Sequence, residues 1–178
     1  MYQDVIRFWF EETVPEQWWT ADPSFDQLIA SRFLPTLMQA AQNQLQAWRS
    51  EPMGRLAEII VLDQFSRNIY RNTPRAFAQD PIALALSQEA VRQNVHTGLP
   101  PTECTFLLMP FMHSESREVH ALAEPLFKAF TPASNHAFEL KHKVIIDRFG
   151  RYPHRNAVLG RASTAEELAF LQEPDSSF

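Results

Sequence analysis

The 178-residue chain predicts an all-α fold, and three observations carry that prediction. Glycine is scarce, four residues in all, while Ala, Leu, Gln and Glu abound, a balance that favours helices over strands with tight turns. The pairs Asp22-Pro23 and Asp80-Pro81 each set an N-cap carboxylate before a proline at the first helical position. Segment 52–71, stepped at 100° per residue, carries Leu56, Ala57, Ile59, Ile60, Val61, Leu62, Phe65, Ile69 and Tyr70 all the way round. A helix apolar on every face is a central, buried one. No strand-like alternation competes with these signals.

The elements follow in order. A first helix spans 2–11 and holds Phe8, Trp9 and Phe10. All four tryptophans, Trp9, Trp18, Trp19 and Trp48, lie in the first 48 residues, as core anchors or as an aromatic wall for a ligand. The Asp22 cap opens 23–42, and Pro35 is expected to split or kink it. Ser50, before Glu51-Pro52, opens the central helix 52–71. The Asp80 cap opens 81–97, and Gly98 closes it in the C′ role. Helix 102–112 ends in the apolar run Phe106 to Met112, with a kink expected at Pro110. Ser114 or Ser116 caps 117–130, with Glu115 near its positive end. Helix 133–149 stops at Gly150. A capping box at Ser163-Thr164-Ala165-Glu166 starts a short helix, 164–172.

Length and charge bound the rest. A chain of this size fits one domain, 1–178, and buries roughly 70% of the surface its unfolded form exposes. A net charge of −5 argues against nucleic acid, whose phosphates need a basic face. The single cysteine, Cys104, forms no internal disulfide or thiolate cluster, so a reducing, cytoplasmic setting is the expectation. The N-terminus, with Asp4 and Arg7, does not read as a signal peptide, and the longest apolar run is too short for a membrane span. The tetratricopeptide signature does not recur at its 34-residue period. No Gly-rich phosphate loop or Gly-x-Ser-x-Gly elbow occurs, and no cofactor is expected.

Three places carry polar chemistry. Asp63 and Arg67 sit four apart on the central helix, flanked by apolar residues. They read either as a buried ion pair that fixes packing or as a guanidinium aimed into an internal pocket. His113 emerges at the end of a core helix, followed by Glu115, Glu118 and His120; the spacing puts no two ligands on one helical face, so no metal is expected. The stretch 148–161 gathers Arg148, Arg151, His154, Arg155, Asn156 and Arg161 around Gly150 and Gly160. Pro153 opens a short helix there whose free N–H groups, with Arg151, His154, Arg155 and Asn156, suit a phosphate or carboxylate.

Several stretches resemble a known family: Asp4-Val5-Ile6-Arg7-Phe8-Trp9-Phe10, Gln17-Trp18-Trp19, Leu62-Asp63-Gln64-Phe65-Ser66-Arg67-Asn68-Ile69-Tyr70-Arg71, Met109-Pro110-Phe111-Met112-His113-Ser114-Glu115, Arg151-Tyr152-Pro153-His154-Arg155-Asn156 and Ser176-Ser177-Phe178. On these the chain is similar, nearly end to end, to the bacterial family catalogued as domain of unknown function 924. The resemblance implies a compact helical fold of the tetratricopeptide-like superfamily and brings no activity, substrate or cofactor with it. Two functional readings stand. In one, Asp63, Arg67, Arg151, His154, Arg155 and Asn156 line a pocket for a small anionic molecule, with His113 or His154 as acid or base. In the other, a helical groove grips a protein or peptide partner. A third account makes the arginines a clamp that ties the C-terminal segment to the helical body.

Overall fold

Asp22 caps as its sequence predicts. In the computed structural model, which describes residues 1–174, 176 and 177, its carboxylate accepts the backbone N–H groups of Ser24 and Phe25 and starts α2 (Pro23–Ala41). Before it comes α1 (Tyr2–Arg7), prolonged by a wider π turn over Phe8–Glu12. The central helix begins as α3 (Pro52–Ile60), widens into a π turn at Val61–Phe65 and continues as α4 (Ser66–Ile69). Then follow α5 (Asp80–Arg92), α6 (Pro101–Met112), α7 (Arg117–Phe130), α8 (Ala133–Phe149) and α9 (Ala165–Phe170). Short 3₁₀ turns fill several of the connections, among them Pro74–Phe77 and Pro153–Arg155. No strand occurs among the described residues.

The all-round apolar pattern of 52–71 has the predicted consequence. Leu56, Ile59, Ile60, Val61, Leu62 and Phe65 are fully buried, with α1, α5 and α6 packed on the α3 part of the helix and α2 on the π turn and α4. Each such side chain contributes about 1.5–3 kcal/mol relative to exposure. Gly54 lets the start of α3 close on the preceding turn, since a Cβ there would lie 2.0 Å from the Trp48 carbonyl oxygen. Trp9 and Phe106 are buried, Trp18 packs against both rings, and Trp19 stacks on Phe106 while more than half exposed. Core anchoring therefore accounts for three of the four tryptophans, Trp9, Trp18 and Trp48. A smaller apolar cluster of Ile145, Ile146, Tyr152 and Phe170 joins α8 and α9 to the segment between them.

Pro35 and Pro110 lie inside α2 and α6 and split neither helix. Four local expectations need correction. Ser50 does not cap α3; its hydroxyl donates to Ala47, and Glu51 holds the N-cap position. Gln79 takes the N-cap of α5, because the Asp80 carboxylate is engaged by two arginines instead. That helix ends at Arg92, and Asn94, at φ 58°, supplies the left-handed residue assigned to Gly98. The last capping box lies one residue later, between Thr164 and Glu167, and α9 ends at Phe170 rather than 172. Gly150, at φ 70°, closes α8 as predicted, and the Ser116 hydroxyl accepts the Val119 N–H. Of the closing Ser176-Ser177-Phe178, Phe178 lies outside the described residues. No helix among the described residues is long and apolar enough to cross a membrane.

Candidate functional site

The π turn at Val61–Phe65 carries the first site residues. Such widened turns occur often at functional sites. Asp63, only 1% exposed, sits within it. Its carboxylate meets His113 Nδ1 at 2.7 Å, Gln64 Nε2 at 2.6 Å and Arg67 Nη1 at 3.1 Å. Burial would raise the Asp63 pKa, but Arg67, His113 and Gln64 together outweigh it and hold the carboxyl well below the usual range. Asp63 is therefore an anion at neutral pH, and His113 Nδ1 carries the proton it donates.

His113 arrives from the C-terminal end of α6. Burial and the nearby Arg67 charge lower its pKa, against the opposite pull of Asp63. The ring is neutral at pH 7, with Nδ1–H directed to Asp63 and the lone pair on Nε2. Among the described residues Nε2 makes no hydrogen bond within the protein, nor is it a sealed, unpartnered atom. A neutral imidazole oriented by a buried carboxylate through its other nitrogen is the arrangement of a general base.

Arg67 and Arg155 converge on Asp80. Arg67 is bidentate, at 2.8 and 3.0 Å, and also donates to the Asp63 backbone carbonyl. Its donors are largely used. Arg155 is spent far less: its Nη1 reaches Asp80 at 3.4 Å, and its buried Nε has no hydrogen-bond partner among the described residues. The guanidinium carbon lies 4.6 Å from the ring centres of both Phe77 and Tyr152. Burial and the Arg67 charge lower the Arg155 pKa, yet an arginine so placed keeps its proton. His154, next in the turn, sits 5.5 Å from the Tyr152 ring, and burial with the Arg155 charge brings its pKa down to about 4.

The remaining predicted residues turn elsewhere. Arg151 forms a bidentate pair with Glu167 at 2.6 and 2.8 Å, and Asn156 Nδ2 reaches the same carboxylate and Ser163. Arg161 is bidentate to Glu115, whose carboxylate also accepts the Tyr152 N–H. Burial would raise the Glu115 pKa, but these donors lower it overall. Asp63, Arg67, His113, Arg155 and His154 thus meet around Asp80 and Tyr152, while Arg151 and Asn156 bind α9 to the segment after α8.

The sequence reading missed Asp80 as a site member and Tyr152 as its scaffold. Asp80 was disguised by the Asp-Pro pattern of a cap. The signal available was charge balance, since Arg67 and Arg155 in apolar surroundings need more than Asp63 to neutralise them. The four acidic and imidazole groups near 113–120 also separate: His113 goes to Asp63, Glu115 to Arg161, Glu118 to Ser116 and His120 to Glu139. A surface hollow of about 340 Å³ lies beside Asp4, Arg7 and Arg32, and one of about 230 Å³ beside Met38, Tyr70, Arg75 and Gln79, the residue before Asp80.

Comparisons with known proteins bear on the whole chain. A solved structure of a protein of unknown function from Agrobacterium tumefaciens superimposes with a TM-score of 0.91 at 32% identity, covering 96% of each chain. No functionally curated protein matches. A family model described as bacterial protein of unknown function (DUF924) matches residues 5–175, and the chain belongs to that family.

Proposed function

We propose that this chain is a single-domain cytoplasmic protein that binds a small anionic molecule at Arg155 and performs acid–base chemistry on it through His113. The observation that carries the reading is the contrast between the two buried arginines. Arg67 makes four hydrogen bonds to Asp63 and Asp80, whereas Arg155 reaches Asp80 once, at 3.4 Å, and its buried Nε, without a partner among the described residues, lies between two aromatic faces. A buried donor without a partner costs about 1–3 kcal/mol, a cost that an incoming carboxylate or phosphate oxygen removes. The flanking rings favour a thin, planar group such as a carboxylate. With Arg155 only 7% exposed, the ligand enters by displacing the Phe77 turn or the 153–155 turn. His113, neutral and oriented by Asp63, then accepts a proton on Nε2, and His154 completes the wall. Arg151 and Asn156 belong to the same corner and hold its outer side through Glu167.

Thermal unfolding in inorganic phosphate, acetate and citrate tests this, with sulfate as the control for non-specific stabilisation. A ligand at about 100 times its dissociation constant contributes about 2.7 kcal/mol, a rise in Tm of about 5–10 °C for a chain of this length. Arg155→Ala should lose the rise, and equal stabilisation of both proteins by every anion would refute the reading. A second reading, a partner-binding surface, is favoured by Leu122, Phe138, Leu140 and Val144, all exposed on α7 and α8. It predicts that Leu122→Glu with Val144→Glu leaves the fold intact and abolishes partner capture, and the same capture by wild type and variant would remove it.

A further inference from the structure

His113 is not the only imidazole paired with a carboxylate. On the far side of Tyr152, His120 of α7 and Glu139 of α8 form a second pair at 2.7 Å, both side chains fully buried. The site described above does not use them. A wholly buried ionisable pair adds little net stability, so a role in fixing geometry is the question to ask of it.

The directions of the hydrogen bonds answer it. The Met112 carbonyl can only accept, so the Tyr152 hydroxyl, 2.5 Å away, spends its proton there. The Tyr152 oxygen then accepts from His120 Nε2 at 3.1 Å, which obliges Nε2 to carry a proton. The same N–H lies 2.9 Å from the Ser114 carbonyl. Glu139 fixes the ring from behind through Nδ1. Met112 and Ser114 are the residues on either side of His113. The Met112 carbonyl is a free end of α6, which needs a partner from outside the helix, and the Ser114 carbonyl lies just beyond the C-cap His113. One buried chain, Glu139 to His120 to Tyr152, therefore grips the backbone immediately before and after His113. Tyr152 also carries the Arg155 guanidinium on its ring face, so the same side chain sets both halves of the site.

We propose that His120 and Glu139, acting through Tyr152, are positioning residues that hold His113 against Asp63, an inference that rests on reading His113 as the acid–base group. Its readout is the tautomer of His113 in the protein labelled with ¹⁵N-histidine, from the separate shifts of Nδ1 and Nε2. In wild type His113 should be protonated on Nδ1 with Nε2 bare. Glu139→Ala and Tyr152→Phe, the latter removing only a hydroxyl, should each bring the two shifts together as the Asp63 contact is lost. Glu139→Gln, whose side-chain amide can accept from or donate to Nδ1, should retain the wild-type pattern. Phe127→Leu, a core change on the same helix as His120, should lower Tm yet leave His113 untouched. A wild-type His113 not protonated on Nδ1, retention of its pattern in either folded loss variant, loss in Glu139→Gln, or an equal change in Phe127→Leu would each overturn the proposal. Should Glu139→Ala fail to fold, Tyr152→Phe decides. The anion titration separates the two claims: a wild type that binds none of the anions but follows this pattern sinks only the ligand reading. One that binds while His113 ignores the substitutions sinks only the positioning.

Discussion

Replacing Asp63 by alanine perturbs the site at its most connected atom pair. The carboxylate receives His113 at 2.7 Å, Gln64 at 2.6 Å and Arg67 at 3.1 Å, all in a place nearly closed to water. Removing one member of a buried ion pair costs about 3–5 kcal/mol when its partner is left bare. Arg67 is not left bare, because Asp80 still holds it through two hydrogen bonds and the Asp63 carbonyl through a third. The loss then falls mainly on the stranded His113 N–H and Gln64 amide, at about 1–3 kcal/mol for each buried group. About 3 kcal/mol is the expected destabilisation, or a fall in Tm of about 6–12 °C. Asp63→Asn keeps an oxygen for His113 and should cost about 1–2 kcal/mol. The pH dependence has a definite sign. The folded pKa of Asp63 lies below the unfolded value of about 3.9, so its contribution is present above that pH and is lost as pH falls. The gap between wild type and Asp63→Asn should therefore hold near neutrality and narrow below about pH 4. Urea denaturation across pH measures both effects. An alanine variant within about 0.5 kcal/mol of wild type, the range of ordinary surface changes, would refute the account of a buried hub.

Three other outcomes follow from the packing and the charges. Gly54→Ala should destabilise despite alanine's helix preference of about 1 kcal/mol, because its Cβ would meet the Trp48 carbonyl at 2.0 Å; a raised Tm would show that the preceding turn yields freely. Cys104, buried and with its thiol pushed up to about 12, should resist a disulfide-exchange reagent in the native state and react on unfolding. The Glu167 carboxyl, lowered to about 2 chiefly by its hydrogen bonds from Arg151, should stabilise the α9 clamp above its unfolded pKa of about 4.3 and release it as pH falls towards 2. Hydrogen exchange of 164–170 should record that release in wild type and not in Glu167→Gln, whose exchange should already be fast at neutral pH.

The fold was largely legible because its signals are local. Asp22 caps α2 through atoms two and three residues away, and the apolar girdle of 52–71 needs no knowledge of what surrounds it. The π turns were not legible, since no residue type encodes the extra residue in the turn; tertiary packing selects it. The site was legible in pieces. Asp63 with Arg67, His113 and Arg155 stood out as polar groups in apolar settings. Their meeting point did not, because Asp80 looks like an ordinary helix cap and abandons that role only when Arg67 and Arg155 arrive from elsewhere in the chain. Arg151 and Asn156 looked equivalent to Arg155 in sequence. The turn after Pro153 sends Arg155 inward to Asp80, while Glu167 takes the other two.

The convergence on Asp80 also sets when the site can exist during synthesis. His113 joins Asp63 across 50 positions of chain, and Arg155 joins Asp80 across 75. A ribosome that has released only the first 150 residues has supplied the central helix, Asp63, Arg67, Asp80 and His113, but neither Tyr152 nor Arg155. The α6 turn around His113 then lacks the hydroxyl that holds the Met112 carbonyl, and Glu115 lacks Arg161. Long-range closures of this kind form late, after the local helices. Until residues 151–161 emerge, the nascent chain is therefore a helical body with an unfinished polar seam. That seam is the surface a chaperone or protease would meet on a product truncated before Tyr152, and its closure hides the polar groups of Asp80 and Glu115.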